Sequence, residues 1–456
     1  MMRKAKPADS YFALIEERLS AGYEGMFREP GGALKYPFLT PGSDQYADVL
    51  WDWDSWLSDI ALRQILAKSG HGGARDQARP YEHGCVLNFL EFGGMDGWIP
   101  ILSGRDGPVK PPHIYEQNMH KPCLAQHAAF LAENDGGDAE WLRSKFYFLQ
   151  TFLNNYRNHH RHACGLYFWQ TDMSIGVDND PCTYYRPPRS SGSIYLNALM
   201  IKEFEAAAYL CGCLNFEEIA EHYRRDAEEL RAAIQEHCWD ERDGFFYSVD
   251  LNLLPVEAAR TFGLHQGMPR DWPCLIQRLG VWSGFMALWA GFATEEQAER
   301  IVAEHARDTK TFNAPFGIRT LSRLEKMYNV RATGNPSSWL GPVWGISNYL
   351  VWRGLVNYGF RGDAEELAAK TVQLFGRDLD RFGTLHEYYQ PDNGEPILNP
   401  GFQNWNYLVL NMIEWLRDRD PVAEFGMRGA HGNRTLLGVG RPALSPGHPG
   451  SRERAV

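Results

Sequence analysis

The sequence predicts an all-α fold, an (α/α)6 toroid in which six inner helices are ringed by six outer ones and the active site lies at one mouth of the ring. Three observations carry this. Apolar residues recur at helical spacing, and no convincing run of alternating strand residues is found. The helical segments fall into consecutive pairs with short connections inside each pair. Within a pair the first member is apolar or small nearly all round, whereas the second carries a single apolar stripe. A helix that is apolar on every side has to be covered on every side, so it belongs inside the ring and its striped partner outside. An open solenoid would cover the same faces, but the pairs share no motif of fixed period.

In chain order the pairs are 55–69 with 77–93, 120–134 with 138–158, 191–211 with 215–238, 279–291 with 294–306, and 339–359 with 363–379. The segment 401–418 takes the N-terminal helix at 9–20 as its partner. The run from Gly280 to Trp289 and that from Val343 to Leu350 are typical inner members. In 215–238, Phe216, Ile219, Ala220, Tyr223, Ala227, Leu230 and Ile234 share one stripe. Asn215 with Glu218, Thr294 with Gln297 and Asp363 with Glu366 read as caps of outer helices. From about Gly426 the chain is rich in Gly, Pro and Arg and lacks periodicity. Residues 1–425 are therefore expected to form one catalytic domain, and 426–456 a poorly ordered tail.

Composition narrows the function. At 456 residues and 44% apolar, the chain can bury a sizeable core. A net charge of −11 argues against general affinity for nucleic acid, although a local pair of arginines can still hold one carboxylate. Apolar runs fall short of the roughly 18 residues that span a bilayer. Glu16, Glu17 and Arg18 stand where a signal peptide needs apolar residues. Eight scattered cysteines without zinc-like spacing point to reduced thiols in a cytoplasm. The histidine-rich run Asn158–His162 lacks a nearby carboxylate, so neither a metal nor any other cofactor is expected. Self-association is left open.

The connections between pairs are long and odd in composition. They hold Trp51-Asp-Trp-Asp54, Gly94 to Pro100, Gln117 to Pro122, Trp169 to Arg189, Asn335 to Trp339 and His386 to Asp392. Antiparallel pairs bring all of these to one rim, where aromatic and acidic loops suit a small-molecule site. Paired carboxyls suggest work on a sugar, because glycoside hydrolysis needs one carboxyl to protonate the leaving oxygen and another to activate water or attack. Trp51, Trp53, Trp339 and Trp344 would supply stacking walls. Composition alone does not choose among Asp172, Asp178, Asp180, Glu387 and Asp392. Tyr185, Arg186 and Arg189 are candidates for holding an acidic aglycone.

At these loops the chain resembles glycoside hydrolase family 63 and its relatives, the inverting α-glycosidases that include trehalase. The likeness covers about residues 30 to 418. It rests on Trp51-Asp-Trp-Asp54, Asp96-Gly-Trp-Ile-Pro100, Gly176-Val-Asp178, Trp339-Leu-Gly-Pro-Val-Trp344 and Glu387-Tyr-Tyr389, in that order. Small single-domain members of this kind hydrolyse mannosylglycerate or glucosylglycerate. The resemblance implies Asp178 as general acid, Glu387 as general base, and Asp54 on hydroxyls of the cleaved sugar. Trp53, Trp339 and Trp344 would surround that sugar, with Gln126 and Gln403 as further polar contacts and Gly176 shaping the acid loop. Two stretches depart from the family pattern, Met173-Ser-Ile-Gly176 before the acid and Lys121-Pro-Cys123 in a neighbouring loop.

The expectation is inverting hydrolysis of a small α-glucoside or α-mannoside. Arg186, Arg189 and Lys121 favour an acidic aglycone such as glycerate, and a neutral disaccharide is the alternative. A sugar epimerase on the same ring, using His120 and His386 to move a carbon-bound proton, is the rival of a different class. A catalytically dead glycan-binding protein is the third reading.

Overall fold

The computed structural model describes residues 7–40, 46–68, 72–184, 186–253, 272–331 and 337–427. The helices in chain order are α1 (Phe12–Ser20), α2 (Asp52–Lys68), α3 (Gly72–Glu91), α4 (Leu124–Asn134), α5 (Phe146–His159) and α6 (Ile194–Cys213). They continue with α7 (Glu217–His237), α8 (Met286–Trp289), α9 (Glu295–Ile301), α10 (Gly345–Asn357), α11 (Arg361–Phe382) and α12 (Val409–Leu416). The even-numbered helices touch in sequence, α2 to α4 to α6 to α8 to α10 to α12, and α12 packs back on α2. That last contact closes the ring and excludes the open solenoid.

Burial follows the expected division. Every residue of α2 from Asp52 to Leu66 is buried, and α6 is buried along almost all its length. In α7 only one face is covered, by Ala220, Tyr223, Ala227, Leu230, Ala233 and Ile234, while its Glu and Arg residues face outward. The N-terminal α1 packs on α11 and α12, as the pairing of the first and last segments requires. Phe425 and Met427, on either side of the predicted boundary, pack against the core. The tail expectation for 428–456 lies outside the described residues. Among the described residues, no helix is long and apolar enough to cross a membrane.

Three local expectations need correcting. Thr294 and Gln297 form the predicted reciprocal cap of α9. Asn215 does not cap α7, because it sits in a left-handed conformation (φ 62°) two residues ahead of the helix. Asp363 lies inside the first turn of α11 and is spent on Arg307, 2.7 Å away. The helix expected at 279–291 is a 3-10 turn, Trp282–Phe285, running into the short α8.

A fourth correction matters for function. Short antiparallel strands frame the mouth of the ring, each too brief to show alternation in sequence. Leu50–Trp51 pairs with Leu102–Ser103. Val343–Trp344, His386–Tyr389 and Pro396–Pro400 make a three-stranded sheet with the middle strand at its centre.

Candidate active site

The cavity at the mouth has a volume of about 450 Å³, the size of a small-molecule site rather than a polymer groove. Its floor begins at the first turn of α2. Asp52 and Asp54 lie there, where the helix N-terminus favours negative charge. Asp52 accepts from the Lys121 backbone N–H at 2.9 Å and from the Lys121 ammonium at 2.8 and 2.9 Å. The ammonium also sits 5.1 Å over the Trp53 ring. Asp54 accepts from the side-chain amide of Asn404, in the 3-10 turn that leads into α12. The first and last inner segments thus meet at Asp54.

Asp178 comes from the long loop before α6. Gly176, two residues earlier, has φ +86°, and a Cβ there would run into Lys121 and lie 3.0 Å from Trp53. Glycine is needed both for the turn and for the close approach. Asn179, also left-handed (φ 54°), accepts from the Trp339 backbone N–H at 2.9 Å and so ties the acid loop to the loop before α10. Burial raises the Asp178 pKa, and this outweighs the opposing pull of the Ser337 hydroxyl and the Lys121 charge.

Glu387 stands on the central strand of the three-stranded sheet. The Asn399 side-chain amide, on the next strand, donates to its Oε2. Burial first, then the charges of Asp54 and Asp178, push the Glu387 pKa up to about 7, against hydrogen bonds from Asn399 and Tyr46. Asp54 is likewise pushed up to about 7, by burial and then by the Asp52 charge, while Lys121 and Asn404 hold it down. Burial and the surrounding carboxylates raise the Tyr46 phenol far above its ordinary value, so it stays protonated and donates. Asp54, Asp178 and Glu387 therefore share one electrostatic site, in which the first two, when ionised, raise the third.

Aromatic rings form the walls. Tyr46, Trp51, Trp53, Phe402, Trp405 and Trp344 face the cavity. Behind Trp344 runs a stacked column, with Trp344 against Trp339 at 4.2 Å and 11°, Trp339 against Trp282 at 5.7 Å, and Tyr388 on the other side of Trp344 at 4.8 Å. The column holds the strand bearing Glu387 at a fixed depth.

Of the residues singled out from sequence, Trp51, Trp53, Asp54, Lys121, Asp172, Gly176, Asp178, Trp344 and Glu387 meet around this cavity. Others do not line it. Trp339 is buried in the column behind Trp344. The Gln126 amide donates to the Pro122 and Leu199 carbonyls and clips α4 to α6. Gln403 immediately precedes the 3-10 turn, whose next two residues, Asn404 and Trp405, serve the site instead. Arg186 is ion-paired with Asp250, and Arg189 is exposed with Glu116 3.6 Å away. Tyr185 lies outside the described residues. Asp180 accepts from the Cys182 N–H in a turn, and Asp392 pairs with Arg319 away from the cavity. Sequence reasoning did not single out Tyr46, Phe402, Asn399 or Asn404. The Phe402-to-Trp405 stretch carried a signal in its aromatic and amide content.

The histidines of the epimerase reading are placed elsewhere. His120 is buried with Nδ1 against the Lys121 carbonyl at 2.6 Å, and His386 Nδ1 faces Asp378 at 2.9 Å. Neither lines the cavity.

A closed ring of helix pairs holding two carboxyls in an aromatic-walled cavity is an arrangement suited to a glycoside hydrolase. Residues 96–406 match the family model described as the mannosylglycerate hydrolase MGH1-like glycoside hydrolase domain. The chain belongs to that family.

Among curated relatives, the mannosylglycerate hydrolase of Thermus thermophilus is 22% identical over 88% of this chain and 99% of its own length. The probable trehalase of Eremothecium gossypii is 25% identical over 57% of this chain, which spans 30% of that relative. The chain thus spans less than a third of the length of the trehalases it matches first. Among solved structures, the GH63 mannosylglycerate hydrolase from Thermus thermophilus in complex with glucose superposes with a TM-score of 0.61 at 19% identity, over 88% of this chain and 99% of that one. Neutral trehalase from Saccharomyces cerevisiae gives 0.55 at 16% identity, over 87% and 79%. Both have the same ring fold.

Proposed function

We propose that the chain is an inverting α-glycosidase of a small α-glucoside or α-mannoside, with Asp178 as general acid and Glu387 as general base. The observation that carries this is the meeting of the two carboxyls, from loops far apart in the chain, inside one aromatic-walled cavity. Relatives named as mannosylglycerate hydrolase and trehalase support the class of bond cleaved. Residues 1–425 are read as one catalytic domain, because the site draws on loops from both ends of the ring.

In this reading Asp178 protonates the glycosidic oxygen while Glu387 takes a proton from a water on the opposite face of the sugar. Tyr46 and Asn399 hold Glu387 toward that water, and Asp54 accepts from sugar hydroxyls. The active form carries a proton on Asp178 and none on Glu387. Protonated Asp178 no longer adds its charge to those that raise Glu387, so the base ionises more readily once the acid is loaded.

The test is a panel of small α-glucosides and α-mannosides followed by proton NMR. The β-anomer of the sugar is expected first, before mutarotation. Release of the α-anomer first would rule out the inverting assignment. Incorporation of solvent deuterium at carbon, without hydrolysis, would favour the epimerase.

A pH dependence follows from the same charges. Glu387 must be ionised, and its pKa is raised to about 7. Activity (kcat/KM) is therefore expected to fall about tenfold per pH unit on an acid limb that lies above the ordinary carboxyl range near 4.3, and below about 7 by as much as protonation of Asp178 relieves Glu387. Asp54→Asn removes one of the charges that raise Glu387, so the acid limb is expected to move to lower pH whatever happens to the maximal rate. An acid limb that stays in place in Asp54→Asn would contradict the coupling.

A further inference from the structure

We propose that the group released from the sugar is uncharged, and that a carboxylate on it is selected against. This rests on the reading of Asp178 as general acid and narrows the substrate class of that same site. A general acid touches the oxygen of the departing group, so the loop that carries it lines the space this group fills. Here that loop contributes Asp172, Met173 and Ser174, and Leu102, strand partner of Trp51, also lines the cavity. Met173 is 67% and Leu102 38% exposed, leaving apolar surface for the departing group to cover.

The charge around that space is nearly all of one sign. Asp54, Asp172, Asp178 and Glu387 line the cavity, and among the described residues Lys121 is the one cation that does. Both oxygens of Asp52 already lie within 2.9 Å of its ammonium. Of the acid-loop arginines that in sequence suggested an acidic aglycone, Arg186 is ion-paired with Asp250, Arg189 is exposed 3.6 Å from Glu116, and neither lines the cavity. The undescribed segments next to cavity residues in sequence, 41–45, 185 and 332–336, contain no Lys or Arg. A carboxylate on the departing group would thus approach Asp172 in a cavity whose one described cation, Lys121, is already paired with Asp52, and like charges repel strongly in a partly dehydrated cavity. A hydroxyl in the same position meets carboxylate acceptors instead.

The experiment compares α-hexosides of glycerol with the matching α-hexosides of glycerate, which differ by a hydroxymethyl against a carboxylate. Binding is measured by calorimetry on Glu387→Gln, in which turnover is suppressed, and hydrolysis on the unaltered protein. The glycerol compounds are expected to bind at least tenfold more tightly and to have at least tenfold higher kcat/KM, with the ratio narrowing at high salt. Asp172→Asn is expected to shrink that ratio several-fold, a readout that general damage to the site would not mimic. Equal or better performance of the glycerate compounds overturns the proposal, as does failure of both to bind. An unchanged ratio in Asp172→Asn overturns the role given to that residue. Selective binding of the glycerol compounds without hydrolysis would instead sink the hydrolase reading and leave the charge preference standing.

Discussion

Asp178→Asn and Glu387→Gln are each expected to lower turnover of an α-glycoside by about 10²–10⁴-fold, with the ring intact by circular dichroism. Both changes keep the size of the side chain and remove only its ability to exchange a proton. The two variants should differ in kind, which separates the roles. With a hexosyl fluoride the leaving group departs without protonation, so Asp178→Asn should recover most of its rate. Glu387→Gln should not, because water still has to lose a proton as it attacks. The pH profiles should part in the same way. Glu387→Gln loses the acid limb that its raised carboxyl produces, whereas Asp178→Asn keeps an acid limb, set by Glu387 without the Asp178 charge. Equal losses on both substrates would mean that the acid and base have been misassigned, and a near-normal rate in either variant would mean that the pair is wrong.

The ring was legible because its two kinds of helix differ in composition. A segment such as Ile194 to Ile201, buried at every position and almost wholly apolar, has no polar stripe to show, and α7 has a clear one. The rim was legible in outline because Asp, Glu and Trp in Gly- and Pro-rich turns are costly unless used. Finer placement was not. Trp339 and Trp344 read alike in sequence, but in the stacked column Trp344 borders the cavity and Trp339 is buried behind it. Gln403 was chosen where Asn404 and Trp405 do the contacting, since each step along a 3-10 turn swings the side chain by about a third of a turn. The capacity of Arg186 to hold an anion depended on Asp250, a partner distant in sequence that nothing local announced. The sheet carrying Glu387 escaped notice because one of its strands, Val343–Trp344, has only two residues, too few for periodicity to register.

Arg63→Met is expected to destabilise the protein by about 3–5 kcal/mol, the cost of leaving a buried carboxylate without its cation. Arg63 is only 4% exposed and its partner Glu82 is fully buried. Two parallel hydrogen bonds join them, Nε to Oε1 at 2.5 Å and Nη2 to Oε2 at 2.6 Å, and Nη1 reaches Asp135 Oδ1 at 3.1 Å. The arginine thereby links an inner helix, α2, to its outer partner α3 and to the residue that follows α4. Asp135 keeps Arg75 at 2.7 Å when Arg63 is removed, but Glu82, which burial and the Asp59 charge already push up to about 8, loses the guanidinium that holds it down. The double change Arg63→Met with Glu82→Leu should recover most of the loss, since two apolar side chains can replace a buried ion pair at little cost. Denaturant titration of the three proteins measures both effects. The site should be spared, because Arg63 lies nine residues along α2 from Asp54, about 14 Å along the axis. KM at a temperature where the variant is folded should therefore stay near its unaltered value. A variant as stable as the parent would show that the pair contributes nothing net, and a double variant no better than the single one would show that the loss comes from packing rather than from the orphaned charge.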